Sequence, residues 1–283
     1  MPFFVLHLLS DFIFIIVYYI IGYRKDVVMN NLKLAFPEKK EKELKKIHKD
    51  SFKHFVDIFI EMIKSFTISK KEINKRYKYV NPEVLKEAEA LNKSIILMGS
   101  HYGNWEWIIN FPHISSYKAV AAYTRITNPH YDDLIRKNRS RFGGEFVATS
   151  KTIKKIVENK QKNILSVYGL LSDQSPSIHK AYYWAPFLNV KVPIHTGAEM
   201  LAKKHDFTVL HMLVTKTKRS HYEVRFEIFS KNPKEVPDYK ITDLFLDRTE
   251  KQIREKPEYY FWTHKRFKHK DKIPMKNIKA NTQ

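Results

Sequence analysis

The residues best placed to do chemistry lie in SIILMGSHYGNWEWIINF, residues 94–111, where an apolar run ends at Gly99 and Ser100 and is followed by His101 and, five positions later, Glu106. On one continuous α-helix that spacing would set the two side chains about 140° apart and keep them from meeting. The local signals place them otherwise. Gly103 permits a tight backbone, and Asn104 is an N-cap residue for a helix beginning near Trp105, so His101 falls in a turn and Glu106 in the first helical turn. Contact between them is then allowed. A carboxylate beside an imidazole fixes its tautomer and favours its protonated form, which suits a general base acting on an alcohol. The N–H groups of the helix start add a means of stabilising negative charge on an ester oxygen. The bare pattern is weak evidence: with 13 histidines and 30 acidic residues in 283, about one such pair is expected by chance, and one occurs.

These residues need a frame. From residue 94 onward short apolar runs, 94–99, 119–123, 163–171 and 208–214, alternate with helix-like stretches around 104–111, 130–142, 151–161 and 196–205. That alternation predicts an α/β fold, a mixed but mostly parallel sheet covered by helices on both faces. In such sheets sites form at the carboxyl ends of the strands, where His101 falls. YEVRFEIF at 222–229, after the turn TKRS, alternates polar with apolar and reads as an edge or antiparallel strand. A helix is expected over 41–66, with Phe52, Phe55, Val56, Phe59, Met62, Ile63 and Phe66 on an apolar face opposite Lys53, Asp57, Glu61 and Lys64. Another is expected over 241–254, and the basic tail from His264 reads as frayed.

The first 22 residues, MPFFVLHLLSDFIFIIVYYIIG, carry one formal charge, Asp11. As a helix they would rise about 33 Å, enough to cross a bilayer. No positive n-region or small-residue cleavage site precedes Arg24 and Lys25, so the segment reads as a retained anchor, spanning or lying in one leaflet. Lys and Arg lie only on its C-terminal side, which puts the rest of the chain in the cytoplasm. No long polar linker divides the chain, so the expected organisation is an anchor over 1–23 and one catalytic domain over 24–283. The formal charge of +21 implies attraction to polyanions such as anionic lipid, phosphorylated substrates or an acidic protein. Cysteine is absent, which excludes disulfides, thiolate nucleophiles and Cys-based zinc sites. No His/Asp/Glu cluster other than the His101/Glu106 pair has convincing ligand spacing, so neither metal nor other cofactor is expected.

HYGNWEW after an apolar strand resembles the His-x-x-x-x-Asp/Glu block of the bacterial lipid A biosynthesis (Kdo2-lipid IVA, late) acyltransferases. Four further blocks match in order: YRKDVVMNNLKLAFPE after the anchor, NPHYDDLIRKNRSRFGG, LLSDQSP, and PEYYFWTHKRFK. Where the family usually has a basic residue directly after the tyrosine corresponding to Tyr123, this chain has Thr124 and then Arg125. The resemblance implies a glycerolipid-acyltransferase-like fold and transfer from acyl-acyl carrier protein to a hydroxyl of a lipid A precursor, at the cytoplasmic face of a bacterial inner membrane. It implies His101 as base and Glu106 as its partner. Asn104, Trp105, Arg139, Arg141, Asp173 and Gln174 are the expected substrate contacts. Guanidinium groups at Arg139 and Arg141 would hold phosphate or the ester oxygen by charge-assisted hydrogen bonds. Asp173 and Gln174 follow an apolar strand at the sheet edge that also bears His101. Two other readings compete. An acyltransferase acting on another membrane lipid, lysophosphatidic acid or a glycolipid, shares the His-x-x-x-x-acid logic, but the Glu-Gly-Thr-Arg block expected downstream for the former does not occur. A nucleic-acid-binding protein would suit the charge, but no RNP, helix-turn-helix or zinc-finger pattern is present.

Overall fold

The computed structural model describes residues 1–272. Its helices are α1 (Phe3–Ile15), α2 (Lys25–Ala35), α3 (Glu41–Lys64), α4 (Lys70–Arg76), α5 (Pro82–Glu89), α6 (Pro129–Ser140), α7 (Thr152–Gln161), α8 (Gly197–His205) and α9 (Lys240–Glu255). Its strands are β1 (Tyr77–Tyr79), β2 (Ile95–Gly99), β3 (Lys118–Tyr123), β4 (Glu145–Ala148), β5 (Ser166–Leu171), β6 (Tyr183–Phe187), β7 (Val190–Ile194), β8 (Thr208–Lys218) and β9 (His221–Ser230). The chain forms two compact units. One comprises Ile58–Ser172 and Gly197–Ile241; the other comprises Met1–Asp57, Asp173–Thr196 and the chain from Thr242.

The first of these units is the α/β unit. Seven strands lie in the order β1-β9-β8-β2-β5-β3-β4, and every neighbouring pair is parallel except β8 with β9. β2 is central, between β5 and β8, and all five of its residues are buried, which is why it reads as an unbroken apolar run and not as an alternation. β9 does alternate, but β1 pairs along its outer side, so it is antiparallel without being the edge. β1 and β4, three and four residues long, fall below the length at which periodicity is legible.

The other unit carries α1, which continues into a π-helical turn, Ile16–Ile21, and stops at Gly22 with φ +66°. Phe3–Ile21 is long and apolar enough to cross a membrane. Phe4, Leu8, Phe12, Ile15 and Tyr19 recur at spacings of three and four and are all exposed, so one face of this helix is an open apolar stripe. The buried side holds Leu6, Ser10 and Phe14, with Ser10 donating to Asp57 at 2.7 Å. The β6–β7 hairpin turns on Leu188 and Asn189, both at positive φ, a turn that sequence inspection passes over because neither residue is glycine.

Two expectations are corrected. The basic tail does not fray at His264: Arg266 and Phe267 are buried, Asn31 donates to the carbonyls of Trp262 and His264 at 2.8 Å, and Ser175 Oγ donates to the Arg266 carbonyl at 2.5 Å. On α3, Asp57 and Glu61 are buried whereas Phe59 and Ile63 are 44% and 58% exposed, the reverse of the simple amphipathic reading. Each buried carboxylate accepts hydrogen bonds from inside the fold, and this offsets its desolvation.

Candidate active site

β2 ends at Gly99, whose carbonyl accepts from the Ser172 N–H at 3.0 Å and so draws the ends of β2 and β5 together. A Cβ on Gly99 would lie 3.1 Å from Leu171 Cδ2. The chain then turns through Ser100, His101, Tyr102 and Gly103. Gly103 sits at φ +60°, and a Cβ there would stand 3.0 Å from Val214 Cγ1 and 3.2 Å from the Val214 carbonyl oxygen. Backbone hand and the closeness of β8 both demand glycine. His101 is half-exposed in this turn, its ring 5.3 Å from that of Trp105 and tilted by 63°.

Asn104 caps the helix that follows, its Oδ1 accepting from the Trp107 N–H at 3.0 Å. Its Nδ2 donates to Glu61 Oε2 at 2.6 Å, and the residue is fully buried. The cap thereby takes the Trp107 N–H out of the set of helix-start donors that the sequence suggested for an oxyanion. The helix is 3₁₀ rather than α. With three residues per turn Trp107 and Asn110 fall in one file, and both are anchored inward. Trp107 Nε1 donates to the Glu61 carbonyl at 3.1 Å, while Asn110 accepts from Tyr79 OH at 2.7 Å and donates to Asn74 and the Tyr77 carbonyl. Pro112, which has no N–H to give, falls inside the run, which ends at His113. Burial raises the phenol pKa of both Tyr77 and Tyr79 above the ordinary value, so both remain neutral, and Tyr79 keeps the proton it donates to Asn110.

Glu106, in the first turn of this helix, receives a two-point fork from Arg139: Nε to Oε2 at 3.0 Å and Nη2 to Oε1 at 2.7 Å. Arg139 comes from α6, whose start is built by Asn128, accepting from the His130 and Tyr131 N–H groups, with Pro129 at the first helical position. At its other end Asn138 donates to Ser65 Oγ at 2.6 Å and Arg141 to the Ser65 carbonyl, tying α6 to the segment that leaves α3. Thus the Asn-Pro pair starts the helix, Arg139 grips Glu106, and Arg141 grips Ser65. Sequence reading placed both arginines on substrate; the partners they hold within the protein were not visible, because 33 residues separate Arg139 from Glu106 and 76 separate Arg141 from Ser65.

Asp173 and Gln174 open the second segment of the other unit. Asp173 is buried, with the Tyr260 hydroxyl hydrogen-bonded to it and the Arg266 guanidinium nearby; Gln174 is half-buried. Arg266 donates to Ser175 Oγ and the Pro193 carbonyl and lies 5.0 Å above the Phe187 ring. His264 accepts from the Ser175 N–H at 3.2 Å. Burial first, and then Arg266, lower the His195 pKa against an opposing pull from Asp173. The C-terminal block therefore clamps the Asp173-Gln174 turn, a role its run of basic residues does not announce.

The α/β sheet thus presents a histidine turn at the carboxyl end of its central strand, followed by a carboxylate held by an arginine. The profile of the family described as bacterial lipid A biosynthesis acyltransferase matches residues 1–269, and the chain belongs to that family. Among its relatives is a protein of Haemophilus influenzae called lipid A biosynthesis acyltransferase, 25% identical over 186 residues. That match covers 64% of this chain and 56% of the relative, so the chain spans little more than half of the relative's length in it.

Proposed function

We propose that this protein transfers a fatty acyl group from acyl-acyl carrier protein to a hydroxyl of a lipid A precursor, with residues 1–23 as membrane anchor and 24–283 as the catalytic region at the cytoplasmic face of a bacterial inner membrane. The observation that carries the reading is the Glu106–Arg139 fork, which joins the HYGNWEW block to the NRSRFGG block beside the turn bearing His101. His101 takes the proton of the acceptor hydroxyl as its oxygen attacks the thioester carbonyl. The C–O bond forms, the tetrahedral intermediate collapses with cleavage of C–S, and the proton passes to the departing thiolate. Glu106, held by Arg139, fixes the imidazole, and Trp105 stands edge-on to its ring. Gln174 meets the substrate, with Asp173 ordering its turn. The exposed stripe of α1 supplies insertion in the bilayer.

The test is transfer of labelled acyl groups by the detergent-solubilised protein, with mass spectrometry of lipid A from a deletion strain. His101→Ala and Glu106→Gln are each expected to lower kcat by roughly 10²- to 10⁴-fold while the protein stays folded and membrane-bound. A loss below about tenfold in either would remove the pair from the mechanism. Normal lipid A in the deletion strain, with another membrane lipid under-acylated, would reassign the acceptor to that lipid.

A further inference from the structure

Glu61 lies on α3, 43 residues before Asn104, and is 3% exposed. An ionisable group so deep in a fold is costly unless well paired. Its carboxylate collects Asn104 Nδ2 at 2.6 Å and Tyr222 OH at 2.8 Å on Oε2, and Ser220 Oγ at 2.7 Å on Oε1. Its backbone carbonyl takes Trp107 Nε1. One residue of α3 thus gathers the cap of the 3₁₀ helix, the helix's buried tryptophan, and the β8–β9 turn, where Ser220 sits at φ +57°. Asn104 stands three residues after His101 and two before Glu106, with its carboxamide oxygen capping the helix and its nitrogen on Glu61. On the far side of Gly103, Val214 blocks the turn from moving inward.

We infer that Glu61 is a positioning residue for the proposed acyl transfer: its buried carboxylate, acting through Asn104, sets the turn and the helix start on which His101 and Glu106 stand. The inference rests on the acyl-transfer reading above. It goes further by giving the site a carboxylate that touches neither substrate nor the reacting atoms. A leucine here would pack as well, but it would leave Asn104, Ser220 and Tyr222 with unsatisfied donors. A glutamine can keep the arrangement, because Oε1 can accept from Asn104 and Tyr222 while Ser220 rotates its hydroxyl to accept from Nε2.

The experiment uses the full-length protein in detergent, with acyl-acyl carrier protein and a lipid A precursor as substrates. The variants are Glu61→Gln, Asn104→Asp and the two combined, with His101→Ala alongside. Glu61→Gln is expected to lower kcat about threefold, the scale of a perturbed but satisfied network. Asn104→Asp sets two carboxylates against each other. At pH 7.5 kcat is expected to fall on the order of 10- to 100-fold with KM within about twofold, the scale of a 1 Å misplacement. The rate should recover as pH falls, because a shared proton removes the repulsion. In the combined variant the amide introduced on α3 donates to the carboxylate introduced at the helix cap, and kcat should return to within about threefold of Glu61→Gln. A merely structural role would lower the unfolding temperature without the pH recovery or the rescue.

The role of Glu61 is overturned if folded Asn104→Asp keeps wild-type kcat, or if the combined variant is no better than Asn104→Asp alone. Should Asn104→Asp not fold, Tyr222→Phe decides: a several-fold loss of kcat in folded protein supports the role, and unchanged kcat overturns it. Full transfer by His101→Ala, or none by the wild type, overturns the acyl-transfer reading and this inference together. Loss in His101→Ala with intact Asn104→Asp overturns the role of Glu61 alone.

Discussion

Replacing Arg139 tests whether the fork on Glu106 matters to catalysis. The two hydrogen bonds, at 3.0 and 2.7 Å, are charge-assisted, a type ordinarily contributing about 1.5–3 kcal/mol each. The side chains are 19% and 13% exposed, so solvent compensates only part of the loss, and Arg139→Ala should cost about 2–3 kcal/mol of stability. For a chain of this size that is a fall of roughly 3–5 °C in Tm. The catalytic effect is separate. With the carboxylate free to swing, the histidine loses its support, and kcat should drop on the order of 10²-fold with KM little changed. Arg139→Lys keeps the charge but reaches only one oxygen, and should sit between, about tenfold down. The assay is steady-state transfer by each variant, with Glu106→Gln and the double variant completing a cycle. If the losses in kcat simply add, with coupling below about 0.5 kcal/mol, Glu106 and Arg139 do not act as a unit and the argument fails.

Gly103→Ala should lower both the folded yield and kcat, since the left-handed backbone and the 3.0 Å approach to Val214 leave no place for a methyl; circular dichroism and transfer rates indistinguishable from wild type would contradict this. Burial lowers the pKa of His48 and His195, so both are neutral when folded at pH 7, and the stability they confer is present above about pH 6.5 and lost as pH falls through their depressed values. Thermal unfolding followed from pH 7.5 to 5 should therefore show Tm falling toward acid, with the slope reduced in His48→Gln; a flat profile would show that neither group is linked to folding. Changing Lys265, Lys268, Lys270 and Lys272 to glutamine should weaken capture of acyl carrier protein or of anionic liposomes at low salt, with the defect shrinking as salt rises. Unchanged binding at low salt would reduce these charges to solvation. Arg266 is buried and outside that set, and Lys276 and Lys279 lie beyond the described residues.

Much was legible in local pattern. Alternating apolar runs and helical stretches specify an α/β sheet, a fully apolar five-residue run is what a strand buried on both faces requires, and Gly103 and Asn104 mark a turn and a cap because backbone hand and hydrogen-bond need act over a few residues. The five ordered blocks led to the family. What local pattern could not show was the partner of each polar side chain. Glu61 falls on the polar face of a helical wheel, yet it is buried by Asn104, Ser220 and Tyr222, up to 161 residues away. Arg139 reads as a substrate contact and closes on Glu106; Arg266 reads as part of a basic tail and lies under the Asp173-Gln174 turn. Helical periodicity says which way a side chain points on its own element. Whether it meets water, lipid or a donor from a distant strand is set by how the elements pack, so His101, Asn104 and Glu106 were visible in the chain, while Glu61 on Asn104 and Arg139 on Glu106 were supplied by tertiary structure.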